Sequence, residues 1–300
     1  MRQLTLIPAL SGHASDVLSL DISPDGSRLV SGSRDRTARI WSLAGGSPEG
    51  TPEGHRGPVH GVACAPVGER VATASGDMTA RVWALPGGGT LATLGGLTGA
   101  AAAVRWAPGG DRLACGWNHW NVGHIGVWRA HSWEPPATLH AAHGQMVFNV
   151  AWSRDGRTLG AALAAGYVRF WREGQPLKVL RGHGEAARAL AFTPDGTLLA
   201  TASSDGALKL WDAHTLADTP LATLKGHDGA VNAIACSPDS RWIVSGGSDG
   251  ALRLWDVEAR QPAGAFEAHG GAVHAVCWSA GGEVVASSGA DGVVRVWQAP

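Results

Sequence analysis

Residues 226–256 read GHDGAVNAIACSPDSRWIVSGGSDGALRLWD. His227 stands 28 residues before Trp255, Asp249 six before it, and Ser245 four before the aspartate. Ten residues after the histidine, Ser237-Pro238-Asp239-Ser240 begins a turn: proline fixes φ at the first central position and the acid completes the bend. Short runs of Val, Ile, Leu and Ala flank it with loose apolar/polar alternation, the pattern of strands buried on both faces. Asp249-Gly250 marks a second, tighter hairpin turn. One such stretch is therefore a loop followed by short antiparallel strands, the last of them carrying a tryptophan.

The pattern repeats in both directions from this stretch. Trp41, Trp83, Trp128, Trp171, Trp211, Trp255 and Trp297 are separated by 42, 45, 43, 40, 44 and 42 residues. A period of about 40–45 residues is that of a four-stranded unit used as one blade of a propeller. The expected fold is all-β: a seven-bladed β-propeller of four-stranded antiparallel blades, one unit over residues 1–300, with repeats at about 11–52, 53–94, 95–140, 141–180, 181–224, 225–266 and 267–300.

Five repeats carry the full set of marks in register: His13, Ser31, Asp35 and Trp41; His55, Thr73, Asp77 and Trp83; His183, Thr201, Asp205 and Trp211; His227, Ser245, Asp249 and Trp255; His269, Ser287, Asp291 and Trp297. The other two depart. In the third, Leu97 fills the histidine slot, Cys115 the hydroxyl slot, and Val122 lies six before Trp128. In the fourth, His143 and Trp171 remain, but Ala161 and Ala165 replace the hydroxyl and the acid. These two blades are expected to rely on packing and to be the looser part of the ring.

Composition agrees with a sizeable core: 44% hydrophobic, 16% charged, and 43 glycines for tight turns. The net charge is −1 and no block of like charges occurs, which gives no pull toward nucleic acid or an anionic membrane. Cys64, Cys115, Cys236 and Cys277 form no CxxC pair and are read as small core residues in a reducing, cytoplasmic setting. Arginine use and compact repeats suggest a bacterial source. No apolar run approaches the ~20 residues of a membrane helix.

With Gly-His, hydroxyl, aspartate and tryptophan at these spacings, and Trp-Asp itself at Trp211-Asp212 and Trp255-Asp256, the chain resembles the WD-repeat β-propellers over nearly all its length. The resemblance implies that the four marked residues of a repeat hydrogen-bond in a chain. A buried aspartate needs its oxygens satisfied, and a buried indole N–H needs an acceptor. Ser, His and Asp together also suggest a hydrolase, but the set recurs five times, its hydroxyl would be held by tryptophan, and no oxyanion-hole motif is visible. The resemblance also implies one more outer strand for the last blade. Residues 4–10, ahead of Gly12-His13, match the segment ahead of Gly226-His227 and are expected to supply it; Pro8 is tolerable on an edge strand.

By comparison with the family, residues three and five beyond the histidine, and the one before the aspartate, face the rim where partners bind. Here these include Asp16, Leu18, Arg34, Pro58, His60, Met146, Phe148, Arg188, Ser204, Asn232, Ser248 and His274. Met146 and Phe148 are candidate apolar anchors, and Arg34 and Arg188 could receive acidic groups. The stretch 116–124 of the third repeat, with Trp117 and Trp120, is either a binding protrusion or a plug for the missing polar set. His119, His124 and His131 match no strong metal spacing. The function expected is a non-enzymatic scaffold, a monomeric ring binding another protein or peptide segment, with no cofactor, metal, nucleic acid or membrane. The alternatives are an enzyme at the channel mouth, built on His60, His274 and Asn232, and a nucleic-acid adaptor using Arg34 and Arg188.

Overall fold

The computed structural model describes residues 4–134 and 136–299. These residues form seven four-stranded antiparallel sheets. Blade one is typical: Val17–Ile22, Arg28–Ser33, Ala38–Ser42 and Pro48–Gly50, running from the centre outward in chain order. The turn at Ser23-Pro24-Asp25-Gly26 is closed by its own side chains. Asp25 accepts from the Ser23 hydroxyl, the Ser27 hydroxyl and the Ser27 N–H, which hold its carboxyl at about 2.

The innermost strands, such as Val17–Ile22, Val59–Cys64 and Val273–Trp278, touch one another in succession around the axis. Seven apolar clusters fill the seams between neighbouring blades. One combines Leu20, Leu29 and Trp41 with Val294 and Val296, joining the first blade to the seventh and closing the ring. Trp41, Trp83, Trp128, Trp171, Trp211 and Trp255 are at most 1% exposed, and Trp297 is 5% exposed. Burying aromatics of this size dominates core energetics. Cys64, Cys115 and Cys277 are buried and Cys236 is half-buried; all four are unpaired thiols. Burial pushes Cys115 and Cys236 up to about 12, so both stay protonated and inert.

The seventh blade is completed from the N-terminal side. Thr5–Leu10 pairs antiparallel with Val294–Gln298, Thr5 opposite Gln298 and Leu10 opposite Val294, with an irregularity between Ile7 and Leu10. Leu10 and Leu4 are buried in the seams on either side of that blade. The side chain of Pro8 lies outside the described residues.

In the third blade apolar packing takes the place of the polar set. Cys115 pairs with Gly126, as Ser31 pairs with Arg39 in blade one, so it does occupy the hydroxyl slot. Leu97, Cys115, Trp117 and Trp128 share one buried cluster. In the fourth blade Ala161 holds that slot opposite Arg169, fully buried. Ala165 sits in a short 3-10 turn at φ 55. The side chain of His143 lies outside the described residues.

Candidate protein-interaction face

Each complete polar set fixes one loop of the upper rim. In blade one the Trp41 indole N–H donates to Ser31 Oγ at 2.8 Å. That leaves the hydroxyl proton to His13 Nε2, also at 2.8 Å. The ring is then protonated at Nδ1, which donates to Asp35 at 2.8 Å. Asp35 further accepts from the backbone N–H groups of Ala14 and Thr37 and from the Thr37 hydroxyl. The same chain recurs at Trp83–Thr73–His55–Asp77, Trp211–Thr201–His183–Asp205, Trp255–Ser245–His227–Asp249 and Trp297–Ser287–His269–Asp291.

The electrostatics follow from this arrangement. Burial lowers the histidines of all five sets, and the aspartates only partly offset it. Burial pushes Asp35 and Asp77 upward, but their donors outweigh it and hold both at about 2. Neutral imidazole beside carboxylate is therefore the resting state. The geometry matches a Ser-His-Asp triad, yet Ser31, Thr73, Thr201, Ser245 and Ser287 are 0% exposed. No substrate reaches such an oxygen. Where glycine precedes the histidine, a Cβ would meet a neighbouring side chain: one on Gly182 would lie 2.2 Å from the Trp211 ring, and one on Gly12 2.8 Å from the Arg39 guanidinium and 3.2 Å from the Trp41 ring.

Above these braces, a β-bulge interrupts the innermost strand of every blade. Register slips between Val17 and Ser19, and likewise around His60, Ala102, Phe148, Arg188, Asn232 and His274. A bulge leaves one residue outside the ladder and re-aims its side chain. The seven bulge residues, from Leu18 to His274, all line one cavity of about 370 Å³ at the channel mouth. They are the positions five beyond the histidine mark.

The rim residues read from sequence are not equally free. Asp16 pairs with Arg34 at 3.2 Å and lies 3.6 Å from His274. The Arg188 guanidinium covers the Phe148 ring at 4.7 Å and donates to Ser204 Oγ at 2.7 Å. Phe148 is thus half-buried under a cation rather than presented bare. Asn232 donates to the Val273 carbonyl of the next blade at 3.0 Å. Met146 and Leu18 are half-buried, while Arg34 and Arg188 are exposed. His60 and His274 are lowered by burial first, with Arg34 adding to both. The mouth cavity's lining contains no hydroxyl or thiol to serve as a nucleophile.

The stretch 116–124 divides between the two readings. Its hairpin, Arg112–His119 and Val122–Arg129, turns at Trp120-Asn121. Trp120 is 86% exposed with φ 47. Trp117 departs from the partner-binding expectation: it is 3% exposed, stacked on His124 at 5.4 Å, and its indole N–H donates to Thr98 at 3.3 Å. Three residues back from the tip, it falls on the strand face turned toward the second blade, where it serves as a plug. Among the described residues no group of three or more His, Cys, Asp or Glu is placed to hold a metal ion.

Two residues that sequence reading passed over also shape the face. Asn118 donates to the Val147 carbonyl at 2.9 Å and accepts the Val147 N–H at 2.7 Å, clasping blade three to blade four. Arg105 enters the channel below the mouth and donates to the Val62 carbonyl at 2.9 Å. The signal for Arg105 was present: eight residues beyond the histidine mark, four other blades carry alanine, at Ala63, Ala151, Ala191 and Ala235.

Comparison with known proteins agrees with the repeat. The family model described as "WD domain, G-beta repeat" matches residues 4–42, 46–84, 174–212, 218–256 and 260–298. The long unmatched stretch, residues 85–173, holds the third repeat and most of the fourth, the two that lack the full polar set. Among curated proteins, "Periodic tryptophan protein 2 homolog" of Neurospora crassa is 60% identical over 38 residues, 13% of this chain and 4% of that protein. "Protein HIRA" of Oryza sativa subsp. japonica is 51% identical over 41 residues, 14% of this chain and 4% of that protein. "Protein Notchless" of Drosophila melanogaster is 49% identical over 43 residues, 14% and 9% respectively. Each match is thus about one repeat long and spans under a tenth of the relative.

Proposed function

The chain belongs to the WD-repeat family, and from that premise we propose that it is a non-enzymatic scaffold, binding another protein or peptide segment through the face that bears the Gly-His loops and the third-blade hairpin. Propellers of this family generally bind other proteins. The observation that carries the reading here is Trp120, a large aromatic left 86% exposed at a hairpin tip. A tryptophan so placed loses little conformational freedom on binding and offers a large contact area, the profile of an interface anchor. The bulge-lined cavity supports the same reading, because seven side chains, one from each blade, converge there on one concave surface. A cytoplasmic setting belongs to the proposal and is supported by four thiols on four different blades.

The test is capture from native lysate, followed by binding of the purified captured protein to the wild type and to the Trp120→Ala/Met146→Ala/Phe148→Ala variant. The expected result is a loss of at least about tenfold in affinity with the variant still folded. Equal affinity for both removes this face from the function.

A further inference from the structure

We propose that the channel mouth is a receptor for a carboxylate side chain on an extended partner segment, and that Asp16 is the built-in competitor for that place. The inference deepens the scaffold reading and rests on it.

Three observations carry it. First, the ionisable side chains converging on the mouth are His60, Arg188 and His274, each a bulge residue lining the same cavity of about 370 Å³. No Asp or Glu lines that cavity. Second, the cavity continues into a channel of about 340 Å³ that Arg105 enters, where Asp21 already stands as its counter-charge, so the cation offered at the mouth is Arg188. Third, the cation set already holds a carboxylate. Asp16 reaches it from the side, 3.2 Å from the Arg34 guanidinium and 3.6 Å from His274 Nε2. The second distance is too long for a hydrogen bond, and that Nε2 is buried without a hydrogen-bond partner. Arg188 is set differently: Phe148 and Ser204 hold it by its plane and its Nε. That leaves the guanidinium's terminal N–H groups to donate to the two oxygens of a carboxylate.

The groups bearing on the two histidines fix the direction of the pH response. Arg34 opposes protonation of both, whereas Asp16 and Asp291 favour it at His274. Both rings are neutral near neutrality because burial lowers them. An incoming carboxylate adds negative charge beside them and raises their affinity for protons, so binding is coupled to proton uptake by the rings. Binding therefore strengthens as pH falls from about 7.5 to about 5.5.

The experiment uses the full chain and a fluorescein-labelled octapeptide alternating Gly and Glu, with matched Gln and Lys versions. The Glu peptide is expected to bind at least about tenfold tighter than the Gln peptide. Asp16→Asn, which frees Arg34 and His274, is expected to tighten it about threefold or more, an effect that unfolding cannot mimic. Arg188→Gln is expected to weaken it about fivefold or more. The His60→Gln/His274→Gln variant is expected to lose the strengthening at low pH. Inorganic phosphate added as competitor separates sources: displacement only at concentrations far above the peptide's supports a peptide carboxylate, whereas equal potency overturns the peptide part of the proposal. Equal binding of Glu and Gln peptides, or no binding of the Glu peptide to Asp16→Asn at about pH 5.5, overturns the proposal. The scaffold reading fails separately, through the Trp120 variant and the captured partner.

Discussion

A single aspartate per blade does more than its size suggests. Asp205 accepts from His183 at 3.0 Å, from the Gly184 N–H at 2.9 Å and from the Ala207 N–H at 3.0 Å. Replacing it by alanine strands two backbone donors and an imidazole, and is expected to cost about 2–4 kcal/mol in a denaturant melt. Asp16→Ala removes only a partly exposed ion pair and is expected to stay within about 1 kcal/mol. A melt of Asp205→Ala that overlays the wild type would contradict the brace. The histidines add a pH dependence. Their folded values lie below the ordinary 6.5, so between the two values the unfolded chain binds more protons and stability rises with pH. That contribution is complete above about pH 6.5 and is lost as pH falls through the folded values. Asp35 and Asp77, held at about 2 against 3.8, act in the same direction lower down. Calorimetry should show the melting temperature declining steadily below about pH 6.5, and a flat profile down to pH about 4 would refute it. These sets were legible in the sequence because their spacing is rigid. The pairing of Asp16 with Arg34 was not, since a half-buried acid and an exposed base on separate loops leave no periodic trace.

At the scale of elements, the third-blade hairpin is the clearest case of a reading that sequence left open. Trp117 and Trp120 lie three apart, and spacing alone does not say which way each points. The strand settles it. Residues on one face of a strand alternate with those on the other, and Trp117 lands opposite His124 facing the second blade, while Trp120 sits beyond the last pair in the turn. Trp117→Ala should therefore cost about 3–5 kcal/mol, as for a buried aromatic. Trp120→Ala should change stability by less than about 0.5 kcal/mol. Parallel thermal melts decide this, and equal effects would mean that the tip packs as well. The bulges are the other element-level finding. Their residues occupy the positions that family comparison marks for the rim, but nothing in their types, which run from alanine to arginine, announces an unpaired strand residue.

For the whole molecule, the period of the tryptophans alone predicts the ring, since a unit of that length cannot bury both faces of a four-stranded sheet without neighbours. The closing seam depends on residues 4–10. Their removal strips Leu4 and Leu10 from two seams and leaves Val294–Gln298 as an open edge. Each buried leucine is worth about 2–5 kcal/mol. A truncated chain is expected to melt well below the wild type and over a broader range, and an unchanged single transition in calorimetry would contradict ring closure.

Thr5 lies opposite Gln298, so the chain enters and leaves the last sheet at the same end. Tension applied between residues 4 and 299 would therefore peel this clasp open one backbone pair at a time, like a zip, instead of shearing all its bonds at once. The ring would then yield at its seventh blade to a modest tug, and anything tethered to both strands of the clasp could unlock it by pulling.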